Sequence, residues 1–213
     1  MSTVKTAQLT LKISEIFYSL QGEGYRAGHP SIFIRLQGCT AQNACYKSGV
    51  RCDTEFESGK EWTLEELKKY IYQFDCKWIV WTGGEPTDQL TQEIINYFNR
   101  EGYRNAIECS GIKQPPICNW VVLSPKVAEH VILKKWKQQA GWKKNFHCDE
   151  LRWVRHKGQE IPNTRILSEH YYISPHFDGE QMNTENVQHC IQLCLDNSQW
   201  KLSTQLHKLW SIL

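Results

Sequence analysis

The sequence predicts an α/β protein built on a mostly parallel sheet, and three observations support this fold class. Short apolar runs typical of strands recur along the 213 residues. Amphipathic helical patterns lie between several of these runs, and strands that alternate with helices favour parallel pairing. The composition, 40% hydrophobic and 23% charged, is that of an ordinary globular protein. We therefore expect a single domain over residues 1–213.

The predicted strands are apolar runs bounded by turn-forming residues. The first two are Ile13–Leu20 and Ser31–Leu36, with a glycine-rich segment between them. The later strands are Lys77–Thr82, Asn105–Cys109, Trp120–Ser124, Leu151–Val154, Tyr171–Ser174 and Trp200–Ser203.

Three segments have the apolar period of an amphipathic helix. Thr63–Phe74 begins with Thr63 and Glu66 at the spacing of a capping box. Thr87–Arg100 and Thr184–Asp196 place apolar residues on one face in the same way. Three helices are too few for a complete eight-fold barrel, so any barrel here is incomplete.

One segment, Val127–His147, interrupts this alternation. It carries five lysines together with Trp136 and Trp142, and interleaved bases and aromatics are also found on nucleic-acid surfaces. The net charge of +2, however, is too small to indicate nucleic acid or an anionic membrane. We interpret the segment as a solvated helix-and-loop excursion with its tryptophans turned inward.

Composition also bounds the compartment. No apolar run approaches the ~18–20 residues of a membrane helix, and the N-terminal MSTVKTAQLTLK lacks the apolar core of a signal peptide. We therefore expect a cytoplasmic protein, in which disulfides are rare. The odd number of cysteines, nine, agrees with this expectation.

Three cysteines, Cys39, Cys45 and Cys52, lie close together after the second predicted strand. Soft thiolate ligands select zinc, copper(I) or an iron–sulfur cluster. Three ligands leave one coordination position for a substrate or cofactor, whereas a structural zinc site uses four. Asp53 and Thr54 follow with hard oxygen atoms, and Mg²⁺ can use one such hydroxyl beside several substrate oxygens.

Polar or glycine-rich segments end three successive strands. They are Thr82–Pro86, Glu108–Gly111 and Ser124–Lys126. In a parallel α/β sheet ligands bind at the carboxyl ends of strands, and a Gly-Gly pair lets the backbone approach a ligand closely. Each segment alone is also typical of a turn. Three in succession predict a ligand-binding edge that faces the cysteine loop.

Three further parts of the sequence carry polar side chains suited to contact with a ligand. Glu23, within Gln21–Gly24, lies between two glycines, so the segment either presents a carboxylate to a ligand or is a hairpin turn. Arg35 is a charge inside an apolar strand, which a salt bridge or a substrate carboxylate would satisfy. The apolar ending, Trp200–Leu213, is expected to dock on the protein, and it contains His207.

These segments together resemble the radical S-adenosylmethionine enzymes, and among them the 7-carboxy-7-deazaguanine synthase family of the queuosine pathway. The matching segments, in order, are ISEIFYSLQGEGYRAGHPSIFIR, Cys52-Asp53-Thr54, Thr82–Pro86, Ser124–Lys126 and WKLSTQLHKLWSIL. The resemblance implies a shortened, modified partial (β/α) barrel of the radical SAM type. It also implies a [4Fe–4S] cluster, S-adenosylmethionine, Mg²⁺ and a homodimer.

The resemblance implies a reaction as well, the conversion of 6-carboxy-5,6,7,8-tetrahydropterin to 7-carboxy-7-deazaguanine with loss of ammonia. A one-electron reductant such as flavodoxin starts the family's reaction, and a 5′-deoxyadenosyl radical takes hydrogen from C6 of the pterin. The partner is thus a small pterin substrate, and neither a membrane nor direct nucleic-acid contact is expected.

Roles follow for individual residues from the same resemblance. The cluster ligands are Cys39, Cys45 and Cys52, and Thr54 contacts Mg²⁺. The residues at the cofactor are Thr82, Gly83, Gly84, Glu85, Ser110, Ser124 and Lys126. The residues at the substrate are Gln21, Gly22, Glu23, Arg35, Thr82, His207 and Leu213. No side chain is assigned to the catalytic step, because cluster and cofactor perform it.

The chain departs from the family pattern at the cysteines. The usual spacing is CX3CX2C, whereas the spacing here is CX5CX6C, with Cys45 as the local third thiol. Arg51 replaces an aromatic residue, and Ser174-Pro175 replaces Gln-Pro. Two alternatives stay open: another radical enzyme on this scaffold, such as a glycyl-radical activase or one with a different pterin-like substrate, and a non-enzymatic zinc module.

Overall fold

The computed structural model describes residues 9–47, 55–177, 179 and 181–212. The strands are β1 (Thr10–Leu20), β2 (Pro30–Leu36), β3 (Lys60–Thr63), β4 (Trp78–Gly83), β5 (Arg104–Cys109), β6 (Trp120–Leu123), β7 (His147–Arg155), β8 (Leu167–Pro175) and β9 (Trp200–Leu202). The helices are α1 (Gln42–Lys47), α2 (Leu64–Ile71), α3 (Gln92–Arg100), α4 (Glu129–Gln138), α5 (Thr184–Asp196) and α6 (Leu206–Trp210), with a 3-10 turn at Pro86–Asp88.

The strands of these described ranges form one nine-stranded sheet in the order β3-β1-β2-β4-β5-β6-β7-β8-β9. Neighbours from β2 to β9 are parallel, whereas β1 runs antiparallel to both β2 and β3. The end strands do not pair with each other, so the sheet is open. The α/β prediction is confirmed, and an open sheet agrees with an incomplete barrel.

All eight predicted strands are present, with shifted ends. The strand that the sequence did not predict is β3, because its four residues, KEWT, are mostly polar. The predicted helix Thr87–Arg100 begins later, at Gln92, since Pro86–Asp88 forms a 3-10 turn and the Thr91 hydroxyl caps α3. The capping box at the start of α2 is confirmed, with the Thr63 hydroxyl accepting from the Glu66 amide.

The sheet has two different faces. One face packs into the main core with the helices, and its buried residues include Trp81, Ile107 and Leu123. The other, the inner face, carries a smaller apolar cluster of Phe17, Phe33, Val80 and Ala106. Because side chains alternate along a strand, Glu108 lies on the same face as Ala106, two residues further along β5. The inner face thus changes from apolar to polar toward the carboxyl ends of the strands.

The two irregular segments behave as the sequence predicts. Within Val127–His147, Trp136 is buried and Trp142 packs against the main core, while the five lysines are exposed. The C-terminal segment is docked through buried Ser203 and through Leu206, whose amide donates to the Gly22 carbonyl at 3.0 Å. No helix of the described residues is long and apolar enough to cross a bilayer.

Candidate active site

The turn after β4 packs directly on the start of the cysteine segment. The Gly84 amide donates to the Leu36 carbonyl and the Glu85 amide to the Gly38 carbonyl, both at 2.9 Å. Gly83 has φ +94°, and a Cβ atom on Gly84 would collide with the Gly38 carbonyl. Only glycine permits this conformation and this close approach at low cost. The Gly-Gly pair therefore joins the ends of β2 and β4.

Glu85 secures the same turn from within. Its side chain is 2% exposed. One carboxylate oxygen accepts from the Thr87 amide at 3.2 Å and the Thr87 hydroxyl at 2.6 Å. The other accepts from the Ser110 amide at 3.0 Å and from the Ser110 hydroxyl. Four donors fill the acceptor positions of a carboxylate, so Glu85 braces the ends of β4 and β5.

The described cysteines of the predicted cluster site lie at this edge. Cys39 follows β2 and Cys45 lies on α1, and both are partly exposed. The amide and hydroxyl of Thr40 donate to Asp88 at 3.0 Å each, which ties the cysteine loop to the turn after β4. Thiols are the donor type that an iron–sulfur cluster requires.

Part of the predicted site cannot be described structurally. Cys52, Thr54 and Leu213 lie outside the described residues, as does Arg51. No group of three metal-ligating side chains occurs in the ranges that are described. The assignment of the third cluster ligand and of the Mg²⁺ contact thus stays a prediction.

A cavity of about 600 Å³ opens beside the cysteine loop. It is lined by Thr40, by residues of α1 such as Lys47, and by Lys126 after β6. The Lys126 ammonium donates to the Ser124 hydroxyl at 3.1 Å, and the Ser124 amide donates to the Cys109 carbonyl at 2.8 Å. The volume suits a small-molecule ligand, and the predicted Ser124–Lys126 motif lies at its wall.

A second group of polar side chains lies on the inner face, and we call it the inner polar cluster: Gln21, Glu23, Glu108, Glu150 and Arg152. Arg152 is 4% exposed and one guanidinium nitrogen, Nη1, pairs with Glu23. Its other terminal nitrogen lies 3.3 Å from a Glu150 carboxylate oxygen and 3.9 Å from one of Glu108. The Gln21 amide donates to Glu108 at 2.9 Å. Three carboxylates from three elements thus surround one arginine.

The electrostatics of this cluster are set by desolvation. Burial raises the pKa of Glu108, an effect that Arg152 opposes and that Glu23 and Glu150 reinforce. Burial lowers the pKa of Arg152, but the three surrounding carboxylates outweigh it and the net shift is upward. Arg152 is therefore a permanent cation, whereas Glu108 binds a proton more readily than an ordinary carboxyl does.

The C-terminal segment closes over the Gln21–Gly24 loop. A Cβ atom on Gly22 would collide with the His207 ring, and one on Gly24 would collide with the Glu150 carboxylate. The Gly24 amide donates to the Ser203 hydroxyl at 2.9 Å. The loop is a hairpin connection, because it joins the antiparallel strands β1 and β2. It also borders the inner polar cluster. The structure thus brings His207 next to the predicted substrate residues.

Arg35 has a different environment. It pairs with Glu15 across β1 and β2 at 2.6 Å, with the two side chains 31% and 40% exposed. Its guanidinium carbon lies 4.8 Å from the Phe17 ring centroid. Of the two alternatives, the salt bridge is therefore present, and contact with a substrate carboxylate stays a prediction. Arg35 is in register with half-buried Thr82 on β4, so both side chains belong to the inner face.

Neither Glu150 nor Arg152 was among the site residues predicted from the sequence. For Arg152 the available signal was the same as for Arg35, a charge inside an apolar predicted strand, here Leu151–Val154, and Glu150 directly precedes that strand. Period two would also have placed Glu150 and Arg152 on one face. Their main partner, Glu23, is 129 residues away from Arg152 in sequence, which no local pattern reveals.

Comparisons with known proteins cover almost the whole chain. A 7-carboxy-7-deazaguanine synthase of Bacteroides thetaiotaomicron is 30% identical over 203 residues, which is 94% of this chain and 98% of the relative. One from Haemophilus influenzae is 32% identical over 209 residues, 94% of this chain and 93% of the relative. The crystal structure of QueE from Escherichia coli matches the fold with a TM-score of 0.65 at 22% identity, covering 93% of this chain and 95% of that one. No protein-family model matches the chain.

Proposed function

The chain belongs to the 7-carboxy-7-deazaguanine synthase family, and from this premise we propose that it converts 6-carboxy-5,6,7,8-tetrahydropterin to 7-carboxy-7-deazaguanine with release of ammonia. The observation that carries the proposal is the full-length similarity to synthases of that name. The geometry supports it, because the Gly-Gly-Glu turn, the cysteine loop and the inner polar cluster all belong to one end and one face of the sheet.

At the cofactor end, Cys39, Cys45 and Cys52 are the proposed ligands of a [4Fe–4S] cluster. When bound together, the cluster and S-adenosylmethionine supply one-electron chemistry that starts a radical reaction. The protein contributes the shape of the binding site at this end. Gly83 and Gly84 keep the backbone close to the cysteine loop, and the cavity beside Lys126 accepts the nucleoside part of the cofactor.

At this end Glu85 has a narrower role than the sequence suggested. Its carboxylate is occupied by Thr87 and Ser110. We therefore propose that main-chain groups of the turn, with Thr82, contact the methionine part. Ser110 then acts mainly as a partner of Glu85, while the Ser124 hydroxyl supports Lys126.

At the substrate end, the inner polar cluster matches the edge of a pterin ring. A pterin presents N–H donors beside a carbonyl acceptor, and Glu23, Glu108 and Gln21 offer acceptors and donors within a few ångströms of one another. His207 closes the pocket over Gly22. Arg35 is proposed to exchange part of its pairing with Glu15 for the substrate carboxylate, which bidentate guanidinium geometry favours.

Several finer proposals rest on the family alone. Thr54 would hold Mg²⁺, which would supply a Lewis-acid contact to the substrate, and Leu213 would border the substrate pocket. The protein works as a cytoplasmic homodimer, accepts electrons from a reductant such as flavodoxin and makes no direct contact with nucleic acid. Its product enters queuosine biosynthesis and tRNA modification.

The test is an anaerobic assay of reconstituted enzyme with S-adenosylmethionine, Mg²⁺, a reductant and the carboxytetrahydropterin. We expect 7-carboxy-7-deazaguanine and ammonia in equal amounts, with neither formed when the reductant is left out. Formation of 5′-deoxyadenosine without the deazaguanine would show that the substrate is a different one. A colourless protein that binds zinc in stoichiometric amount would instead favour the zinc module.

A further inference from the structure

Arg152 is the deeply buried cation of the inner polar cluster. Its side chain is 4% exposed, and that of Glu150, two residues away on the same face of β7, is 1% exposed. Burying a charge is costly unless the charge is paired and hydrogen-bonded. Here the partners come from the loop after β1, from β5 and from β7, so Arg152 fixes three elements relative to one another.

Three carboxylates, Glu23, Glu108 and Glu150, lie near Arg152. Arg26 is a second guanidinium that faces Glu108 and Glu150, and Arg104 is a third cation, beside Arg26. Glu108 is the carboxyl whose pKa burial raises. The other titratable groups that face this region are Tyr25, Cys76, His170, Tyr172 and His207.

The hydrogen bonds distinguish Glu108 from Glu23. The Gln21 side chain donates to a Glu108 oxygen at 2.9 Å, and its own carbonyl accepts from the Glu23 amide at 3.0 Å, which fixes the orientation of the amide. Arg152 contacts Glu23 directly, but its nearest approach to Glu108 is 3.9 Å. The ion pair therefore belongs to Glu23, and Glu108 is held mainly by a neutral donor.

We propose that Arg152 is a positioning residue for the substrate: it fixes the Glu23 carboxylate as an anionic acceptor and leaves Glu108 as the carboxyl that keeps the proton of the cluster and donates a hydrogen bond. This inference rests on the proposed function, because it takes Glu23 and Glu108 to face the ring. The ligand edge that fits carries N–H groups for Glu23 beside an oxygen or ring-nitrogen acceptor for Glu108.

The test compares Arg152→Met and Arg152→Lys in the reconstituted holoenzyme. We expect Arg152→Met to raise the KM for the carboxytetrahydropterin about tenfold or more, since truncating one partner of a buried charge pair frees the other, with the KM for S-adenosylmethionine unchanged. Arg152→Lys keeps the charge but not the planar guanidinium group. Its KM for the carboxytetrahydropterin is therefore expected to lie between those of the wild type and Arg152→Met. Isothermal titration of the substrate in the absence of reductant gives the same ranking without turnover.

Two further comparisons test the mechanism of positioning. If Arg152 acts through Glu23, then Arg152→Met adds little to Glu23→Gln in a double variant. Under the proposal Glu108 carries the proton, so Glu108→Gln replaces a protonated carboxyl by an amide. We expect this variant to change substrate affinity by less than about threefold and to remove the limb of the pH profile of kcat/KM that reports loss of this proton. Glu23→Gln is expected to weaken binding far more.

The outcomes that overturn the proposal are specific. Unchanged substrate affinity in a folded Arg152→Met variant would make the arginine merely structural, and equal damage from Glu108→Gln and Glu23→Gln would refute the assignment of the proton. If Arg152→Met does not fold, the Arg152→Met/Glu150→Gln variant removes both charges of the Arg152–Glu150 pair and answers the same question. The exposed pair Lys157–Glu185, at 2.9 Å, offers Lys157→Met as a control with no expected effect. Failure of wild-type enzyme to form deazaguanine would refute the proposed function instead.

Discussion

Glu85 and Glu108 end neighbouring parallel strands, yet their environments differ completely. Glu85 is 2% exposed and is bonded to Thr87 and Ser110, both neutral. Glu108 is 22% exposed and lies among charged groups, with one neutral donor at 2.9 Å. The first carboxylate has no acceptor position left for a ligand. The second is kept in an incompletely satisfied, charged neighbourhood.

Glu85 therefore stabilises the shape of the candidate site, whereas the Glu108 carboxyl is able to hydrogen-bond a ligand there. Glu85 belongs to the proposed cofactor end, where its side chain holds the shape of the turn. Glu108 belongs to the proposed substrate end, where hydrogen-bond donors and acceptors are expected to be exchanged for those of a ligand. Buried polar groups with incomplete partners are costly for stability, and such a cost is common where a ligand completes the network.

The largest effect is expected from removing the arginine on which the substrate end depends. Arg152→Met leaves buried carboxylates without their main counter-charge, and we expect a loss of about 3–5 kcal/mol in the free energy of unfolding at neutral pH. Urea denaturation followed by circular dichroism measures it. The Arg152→Met/Glu150→Gln variant should recover part of the lost stability. No recovery would show that an unpaired Glu150 carboxylate is not a cause of the loss.

At the proposed cofactor end, Glu85→Gln is expected to lower the free energy of unfolding by about 2–3 kcal/mol. The new NH2 group faces the donors of Thr87 or Ser110 and leaves them without an acceptor. The same denaturation experiment applies. In contrast to Arg152→Met, this variant should not change the affinity for the pterin substrate. A selective loss of substrate affinity would show that the two ends are not separate.

A smaller effect is expected from Gln21→Ala, which removes the neutral link of the substrate end. The lost bonds are those to Glu108 at 2.9 Å and from the Glu23 amide at 3.0 Å, and each typical hydrogen bond contributes about 1 kcal/mol. We expect a loss of about 1–2 kcal/mol in stability and weaker substrate binding by titration. Unchanged binding would remove Gln21 from the proposed substrate site.

The smallest effect is a pH dependence of stability. The pKa of Glu108 in the folded protein is raised above its usual 4.5, so the folded state binds this proton more tightly than the unfolded state does. The contribution is complete below the unfolded pKa and is lost as pH rises through the folded pKa. Glu108→Gln should flatten this decline in denaturation midpoints recorded from acid to alkaline pH. An identical decline in the variant would assign it to another group.

The sequence was sufficient for all the described strands except β3 and for the edge at which the candidate site lies. Apolar runs and strand-end motifs such as Thr82–Pro86 follow from periodicity and turn chemistry, which are local. The partners of Arg152 outside its own strand, Glu23 and Glu108, are not local. Glu85 shows the opposite limit: its motif is recognisable in sequence, but only the structure shows that Thr87 and Ser110 occupy its carboxylate.

The most direct test of the proposed synthase activity uses carboxytetrahydropterin deuterated at C6. Reconstituted enzyme with S-adenosylmethionine, Mg²⁺ and reductant should yield 7-carboxy-7-deazaguanine and ammonia, with deuterium at the 5′ carbon of the recovered S-adenosylmethionine or 5′-deoxyadenosine, identified by mass spectrometry. Deazaguanine formed without deuterium in either adenosyl compound, or labelled adenosyl compounds without the deazaguanine, would contradict it.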